Sequence, residues 1–388
     1  MQMFAATNKD GYKADHRRQY PDGTEYIYAN LTARSGKRSN VKDSKHVVWL
    51  GLQRFILSYL IKDWNETFFK QPWPVVSNRY LNRVATALNN PSFDISHLKQ
   101  LHDLGYMPLD IRALPEGSIV PYRVPMMTII NTHPDFAWLT NMIESVMSAE
   151  IWPVINTATT YRQFMKKFYE YAEKTGADKS IVPYQAHDFS MRGMFGHHAA
   201  ALSAMAAIVV GSKGTDTFHG IDYAYDYYNA REENYEYAGT ISATEHSVMC
   251  AGGKENELGT YQRLINEVYP SGYLAIVSDT WDLWNVIDNY LPILKEDIQN
   301  RDGKIIIRPD SGDPVKILCG DLSYIDYTGV FLSLSGVEGF LIDDKYERED
   351  WVSNYHDDGK REEIDVEVFR FNGEYYEFKQ TSVYNCWE

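Results

Sequence analysis

Tyr273-Leu-Ala-Ile-Val277-Ser-Asp279 and Lys304-Ile-Ile-Ile-Arg308-Pro-Asp310-Ser-Gly312 are the stretches on which the fold class turns. Each is a short apolar run that stops abruptly at small and charged residues. Such runs, without polar alternation, suit strands covered on both faces, as in a parallel sheet. Between them Trp281, Trp284, Ile287 and Leu291 fall on one helical stripe, so the order is strand, helix, strand. The expected class is therefore α/β, and units of this kind place functional groups where the strands end. Upstream, His198 to Ala207 reads as a helix, followed by Ile208-Val-Val210 and the loop Gly211-Ser-Lys-Gly-Thr-Asp216.

The amino-terminal part reads differently. Residues 24–33 (TEYIYANLTA) look like a strand, and 46–62 and 76–91 carry helical spacing. Residues 118–131 read as strands broken by prolines, and 136–174 as long aromatic-rich helices. The expected division is 1–178, an α+β domain; 179–320, an α/β region; and 321–388, an acidic tail. Within that tail, Asn372-Gly373 between alternating residues is a hairpin signal.

The chain has 388 residues, 44% apolar and 23% charged, which fits a globular protein and excludes collagen, a coiled coil and wholesale disorder. No apolar run approaches the roughly 18 residues of a membrane span. The start lacks the apolar stretch of a secretory signal. Three widely spaced cysteines, Cys250, Cys319 and Cys386, make neither a disulfide framework nor a zinc site, and are expected to pack in a reducing cytosol. The net charge of −15 argues against nucleic acid or an anionic membrane as main partner. Residues 321–388 hold 17 acids and 6 bases, so the tail carries −11 of that charge.

There is no P-loop, no GxGxxG after a strand, no HExxH and no GxSxG elbow. Five polar loops recur instead: His187-Asp-Phe-Ser-Met-Arg-Gly193, Gly214-Thr-Asp-Thr217, Thr244-Glu-His-Ser247, Ser278-Asp279 and Arg308-Pro-Asp-Ser-Gly312. This inventory suits an anionic sugar phosphate with a flat ring. Asp310 at a strand end can accept from vicinal hydroxyls, and Arg308 and Arg192 can meet phosphate or carbonyl oxygens through their fixed fork. Phe189 offers a stacking face. Asp216 can receive an amide N–H, and His246 with Asp279 can form a histidine–carboxylate pair. Asp279 has a second reading as the cap of the following helix. His197-His198 reads as a helix start rather than a metal site, because adjacent residues point in different directions.

Read in order, Asp10-Gly-Tyr12-Lys13, Gln19-Tyr-Pro21, Arg34, HDFSMRG, KGTDT, TEHS, VSDTWD and IIIRPDSGDP resemble the nicotinamide phosphoribosyltransferases over roughly residues 8–320. The compact RPDSGDPVKILCG ending resembles versions carried by large bacteriophages. The resemblance implies an irregular α/β barrel of the type II phosphoribosyltransferase kind, here expected to be incomplete in its last strands, and a homodimer with shared active sites in the cytoplasm. It implies transfer of a phosphoribosyl group from phosphoribosyl pyrophosphate to nicotinamide, with Mg²⁺ accompanying the pyrophosphate and ATP as coupled substrate. By the same resemblance Phe189 and a partner's Tyr12 sandwich the nicotinamide, with Asp10 nearby. Asp216 takes the carboxamide, Arg192 lines the base pocket, Arg308 and Asp310 hold the base and ribose end, and Arg34 meets the pyrophosphate. His246 becomes phosphorylated, oriented by Asp279. Lys37 and Arg38 are set aside as a solvated loop.

The resemblance stops after Cys319-Gly320. The family continues with a Gly-Asp loop for ribose, a Gly-Gly loop for the 5′-phosphate and further basic residues, none of which stands in 321–388. Either the tail is an inserted hairpin module in a chain that ends early or is split, or it replaces the missing part and does another job. Two rivals follow: a nicotinate phosphoribosyltransferase, which Asp216 disfavours, and a non-catalytic or split chain that needs a second polypeptide.

Overall fold

The computed structural model describes residues 3–42, 44–229 and 238–319, together with strands between 321 and 379. Its contacts divide the chain into two units, Met1–Thr240 and Ile241–Glu388. The expected boundaries at 178/179 and 320/321 fall inside the first and the second unit respectively.

The first unit builds its core on aromatic residues. An antiparallel sheet of order β1-β5-β3 combines β1 (Tyr28–Thr32), β3 (Leu109–Ala113) and β5 (Pro125–Asn131), while β2 (His46–Val48) pairs with β4 (Ile119–Pro121). The prolines at 121 and 125 stand at a strand end and a strand start, where the missing N–H costs no ladder bond. Helix α1 (Leu52–Phe55) runs on in wide π-helical turns over Ile56–Asp63 and Asn65–Phe69. Helices α2 (Trp73–Ala87), α3 (Ser96–Leu104), α4 (Ala137–Met142) and α5 (Glu144–Thr175) follow. Trp49, Phe55, Trp64, Phe68 and Tyr80 are fully buried among them. His97 lies edge-on to Trp138 at 4.8 Å, and burial pushes its pKa down to about 3, so it is a neutral core residue.

A second cluster in this unit supports the later loops. It joins Leu50 and Val154 to α7 (His197–Val209), which follows the short α6 (Ser190–Gly193), and to α8 (Phe218–Tyr228). Residues Ala200 to Ile208 are all buried, so α7 is apolar all round and its alanines let neighbours come close. His197 opens this helix, and His198 serves structure: Nε2 stands 3.2 Å from Glu150 and Nδ1 3.0 Å from the Tyr223 hydroxyl. Arg54 is 5% exposed and closes this tie with a short ion pair to Glu150.

The second unit carries the parallel sheet expected from sequence, with order β6-β7-β8: β6 (Ser242–Ala243), β7 (Leu274–Val277) and β8 (Ile305–Arg308). All four residues of β7 are buried. Helices α9 (His246–Gly252), α10 (Glu257–Arg263), α11 (Leu283–Asn285) and α12 (Leu291–Asn300) pack a core of Tyr261, Leu264, Ile276, Val286 and Leu294. Cys250 is exposed on α9, against the expectation of packing, because it falls on the outward face of that short helix.

After α13 (Pro314–Cys319), the tail forms an antiparallel sheet of order β10-β11-β12-β13-β9. Its strands are β9 (Asp321–Tyr324), β10 (Phe340–Leu341), β11 (Glu347–Tyr355), β12 (Arg361–Phe371) and β13 (Glu374–Lys379). Phe371 pairs with Glu374, and the expected Asn372-Gly373 turn lies outside the described residues.

The contact between α7 and α8 is limited by backbone. A Cβ on Gly220 would lie 2.2 Å from the Ala204 Cβ and 3.0 Å from the Ala204 carbonyl carbon. Gly220→Ala is therefore expected to cost about 1–3 kcal/mol by overpacking and to lower the melting temperature by several degrees. Adding Ala204→Gly removes the closest clash and should recover part of the loss. A Gly220→Ala protein that melts with the wild type would show that the helices are not in this contact.

Candidate active site

In the second unit three loops leave the parallel sheet and are tied to one another. The TEHS loop extends the β6 ladder: the Thr244 N–H donates to the Ala275 carbonyl at 2.9 Å, and the Val277 N–H donates to Thr244 Oγ1 at 2.9 Å. The Ser278 N–H reaches the Arg308 carbonyl at 3.0 Å, and Arg308 Nη2 donates to the Thr244 carbonyl at 3.0 Å. Arg308 Nε, also buried, donates to no acceptor among the described residues.

These bonds set Asp279 at the centre. His246, the first residue of α9, brings Nε2 to 3.2 Å from Asp279 Oδ1, and its Nδ1 lies 3.9 Å from Asp310 Oδ2. Asp279 Oδ2 accepts the Asp310 N–H at 3.1 Å and a short bond from the Ser311 hydroxyl. The Asp279 side chain is 8% exposed, whereas those of His246 and Asp310 are 46% and 53% exposed, so a ligand can reach the latter two. Burial disfavours the Asp279 charge, but the donors from Ser311, Asp310 and His246 outweigh it and hold the carboxyl below its ordinary value of 3.8. An ionised carboxylate on one imidazole nitrogen fixes the tautomer and leaves the other nitrogen to act as base or nucleophile. Helix capping falls to another residue: Asp282 accepts from the N–H groups of Trp284 and Asn285, three positions beyond Asp279.

In the first unit the HDF and KGTDT loops are zipped together. The Asp188 N–H donates to the Gly214 carbonyl at 3.0 Å, and the Asp216 N–H to the Asp188 carbonyl at 2.9 Å. Asp188 is 3% exposed and takes the hydroxyls of Ser190 and Thr215 at 3.0 and 3.1 Å. Its inward turn leaves its neighbours His187 and Phe189 facing outward, with ring centroids 4.9 Å apart. Phe189 is 53% exposed, an open aromatic face. The Asp216 carboxylate lies 3.4 Å from His187 Nε2, and Arg192 is exposed on α6.

The remaining candidates of this unit have their partners elsewhere. Tyr12 is 61% exposed and packs against His16. Asp10 accepts a short bond from the Ser145 hydroxyl. Arg34 lines a cavity of about 1070 Å³, and Lys37 and Arg38, set aside on sequence, share its wall. Among the described residues Glu144 is the one acid in that wall, and it is paired with Lys13 at 2.6 Å, so the described lining carries a positive balance.

Residues 4–67 match the family described as nicotinamide phosphoribosyltransferase, N-terminal domain, and residues 184–342 the nicotinate phosphoribosyltransferase (NAPRTase) family. A Mycoplasma pneumoniae protein named nicotinamide phosphoribosyltransferase is 31% identical over 347 residues, covering 82% of this chain and 72% of that protein. The chain belongs to the nicotinamide phosphoribosyltransferase family. An Acinetobacter baylyi protein of the same name is 50% identical over 321 residues, covering 80% of this chain but 63% of its own length. The chain thus spans less than two thirds of that relative. Human nicotinic acid phosphoribosyltransferase, at 15% identity and a TM-score of 0.51, covers 80% of this chain and 62% of that structure and shares its fold. The α/β class expected from sequence and the type II fold implied by the resemblance are both found.

Sequence reasoning passed over Ser311, Thr244 and His187 in this family member, although each lies inside a quoted motif. Their roles depend on partners in other loops, which spacing along one loop does not reveal. The Ser311 bond to Asp279 is testable. Its folded pKa is below the unfolded one, so the stabilisation is fully present above the unfolded value of about 3.9 and is lost as the pH falls through the folded value. Ser311→Ala should cost about 1 kcal/mol in urea unfolding from pH 5 to 8, and the deficit should shrink below pH 4. A deficit that is constant with pH would detach Ser311 from the ionised carboxylate.

Proposed function

We propose that this chain transfers the phosphoribosyl group of phosphoribosyl pyrophosphate to nicotinamide, giving nicotinamide mononucleotide and pyrophosphate in NAD salvage. The observation that carries the proposal is the Asp216 carboxylate 3.4 Å from His187, whose ring lies 4.9 Å from that of the exposed Phe189, in a member of this family. A carboxylate accepts the carboxamide N–H of nicotinamide and repels the carboxylate of nicotinate. Phe189 stacks on the pyridine, and Arg192 borders the base. The NAPRTase match favours nicotinate as a second reading, which the charge of Asp216 opposes.

Arg308 and Asp310 hold the base and ribose end, Asp310 accepting from the ribose hydroxyls. The C1–O bond to pyrophosphate breaks with oxocarbenium character as the pyridine nitrogen attacks the opposite face of C1. The protein supplies position and charge stabilisation. Arg34, with Lys37 and Arg38 beside it, offers positive charge for the departing pyrophosphate. Among the described residues no three His, Cys, Asp or Glu side chains are arranged to hold a metal ion, so Mg²⁺ would enter with the pyrophosphate oxygens as ligands. His246, held by Asp279, attacks the γ-phosphorus of ATP. ADP leaves, and hydrolysis of the phosphohistidine drives the unfavourable synthesis.

The exposed Tyr12 and the neighbouring Asp10 serve a second copy in a homodimer, Tyr12 covering the other face of its nicotinamide. As an alternative, a separate polypeptide supplies the 5′-phosphate loops. We place the protein in the cytoplasm, of a bacteriophage host if the compact RPDSGDPVKILCG ending marks its source. Among the described residues no helix is long and apolar enough to cross a membrane.

Asp216→Ala should weaken nicotinamide binding by about 1–3 kcal/mol, the range for a lost buried hydrogen-bond partner. Unchanged affinity by calorimetry would remove the assignment. Incubation with γ-labelled ATP should give an acid-labile protein phosphate that His246→Ala abolishes, and label persisting in that variant would move the phosphate elsewhere. Product formation from nicotinamide, but not nicotinate, decides between the two bases.

A further inference from the structure

We propose that His187 is a positioning residue of the base pocket, holding the Asp216 carboxylate in the orientation that receives the carboxamide. This rests on the function proposed above. His187 stands between the two groups assigned to the base. Its Nε2 approaches Asp216 Oδ1 to 3.4 Å, and its ring centroid lies 4.9 Å from that of Phe189 at an interplanar angle of 47°. The two side chains of the polar pair are 26% and 33% exposed, so water competes for the contact less than at an open surface.

Two further features seat the imidazole there. Asp188 is consumed by Ser190 and Thr215 on the inner side of the strand-like bridge Asp188–Thr215, which sends the side chains at 187 and 189 the other way. Across the bridge, a Cβ on Gly214 would lie 2.7 Å from His187 Nδ1. Glycine at 214 therefore leaves the space the ring fills, and two loops far apart in sequence complement each other at this point.

The chemistry follows from the donor inventory. An ionised carboxylate has two accepting oxygens. In the tautomer with hydrogen on Nε2, a small turn of the ring from the 3.4 Å contact lets His187 donate to Oδ1 and leaves Oδ2 for the carboxamide N–H. Without that donor the carboxylate is free to rotate towards solvent, and the cost falls on base affinity rather than on folding.

The test is calorimetric titration of the full chain with nicotinamide, alongside its melting temperature. His187→Phe, which keeps an aromatic ring but no donor, should weaken binding about tenfold, as for one lost hydrogen bond. His187→Gln, which keeps an N–H donor, should bind within about threefold of wild type. Gly214→Ala, which leaves both side chains present but displaces the ring, should match His187→Phe, and it decides alone should the latter not fold. Wild-type affinity in His187→Phe or in Gly214→Ala overturns the proposal, as does a His187→Gln protein as weak as His187→Phe. Those results, with Asp216→Ala still weakened, remove His187 and keep the function; a wild-type chain that binds no nicotinamide removes both.

Discussion

Parallel pairing of Leu274–Val277 with strands on either side is the constraint that organises the second unit. A parallel ladder aligns the carboxyl ends of its strands, so the loops after β6, β7 and β8 emerge together. Burial of every β7 side chain fixes the register, because a slip would displace all four buried side chains from their packing at once. From that register follows the reach of Arg308 to the Thr244 carbonyl, and of Asp279 to His246, Asp310 and Ser311. The catalytic candidates are thus held by backbone geometry first and by their own hydrogen bonds second.

The first unit achieves the same end with very little strand. Two backbone bonds between the HDF and KGTDT loops act as a miniature ladder, and the buried Asp188 ties off the inner side. What faces outward is an aromatic ring, an imidazole and a carboxylate. Electrostatics is distributed unevenly. The carboxylate and the aromatic ring both stand by His187, whereas the guanidinium and ammonium groups of Arg34, Lys37 and Arg38 line a cavity whose one acid among the described residues is already paired. Such separation suits a substrate with a neutral flat end and a polyanionic end.

How much could be read from sequence depended on whether a signal was local. The β7 and β8 strands were legible because residues buried on both faces make continuous apolar runs. Paired strands on either side of Asn372-Gly373 were legible from turn chemistry, and Phe371 does pair with Glu374. The His246–Asp279 pair was legible because both residues sit just past strand ends. By contrast, the role of Ser311 depends on an acceptor 32 positions away, and the seat of His187 depends on the absence of a side chain at 214. The choice of Asp282 over Asp279 as helix cap turned on the onset of the helix, which spacing alone leaves uncertain by a few residues. Lys37 and Arg38 are exposed in an irregular loop, as read from sequence; that the loop also borders a cavity carries no mark in a basic run.

The close approach of α7 and α8 has a bearing on how this enzyme family member can evolve. The KGTDT loop runs from Val210 to Thr217, and each end is anchored in one of two helices that already touch at Ala204 and Gly220. Neither anchor can be drawn nearer to absorb a deletion, and an inserted residue would have to bulge into the surrounding water. A change of length would strain this frame, whereas a change of side chain would leave it intact, so ligand preference is more readily altered by single substitutions than by remodelling of the loop.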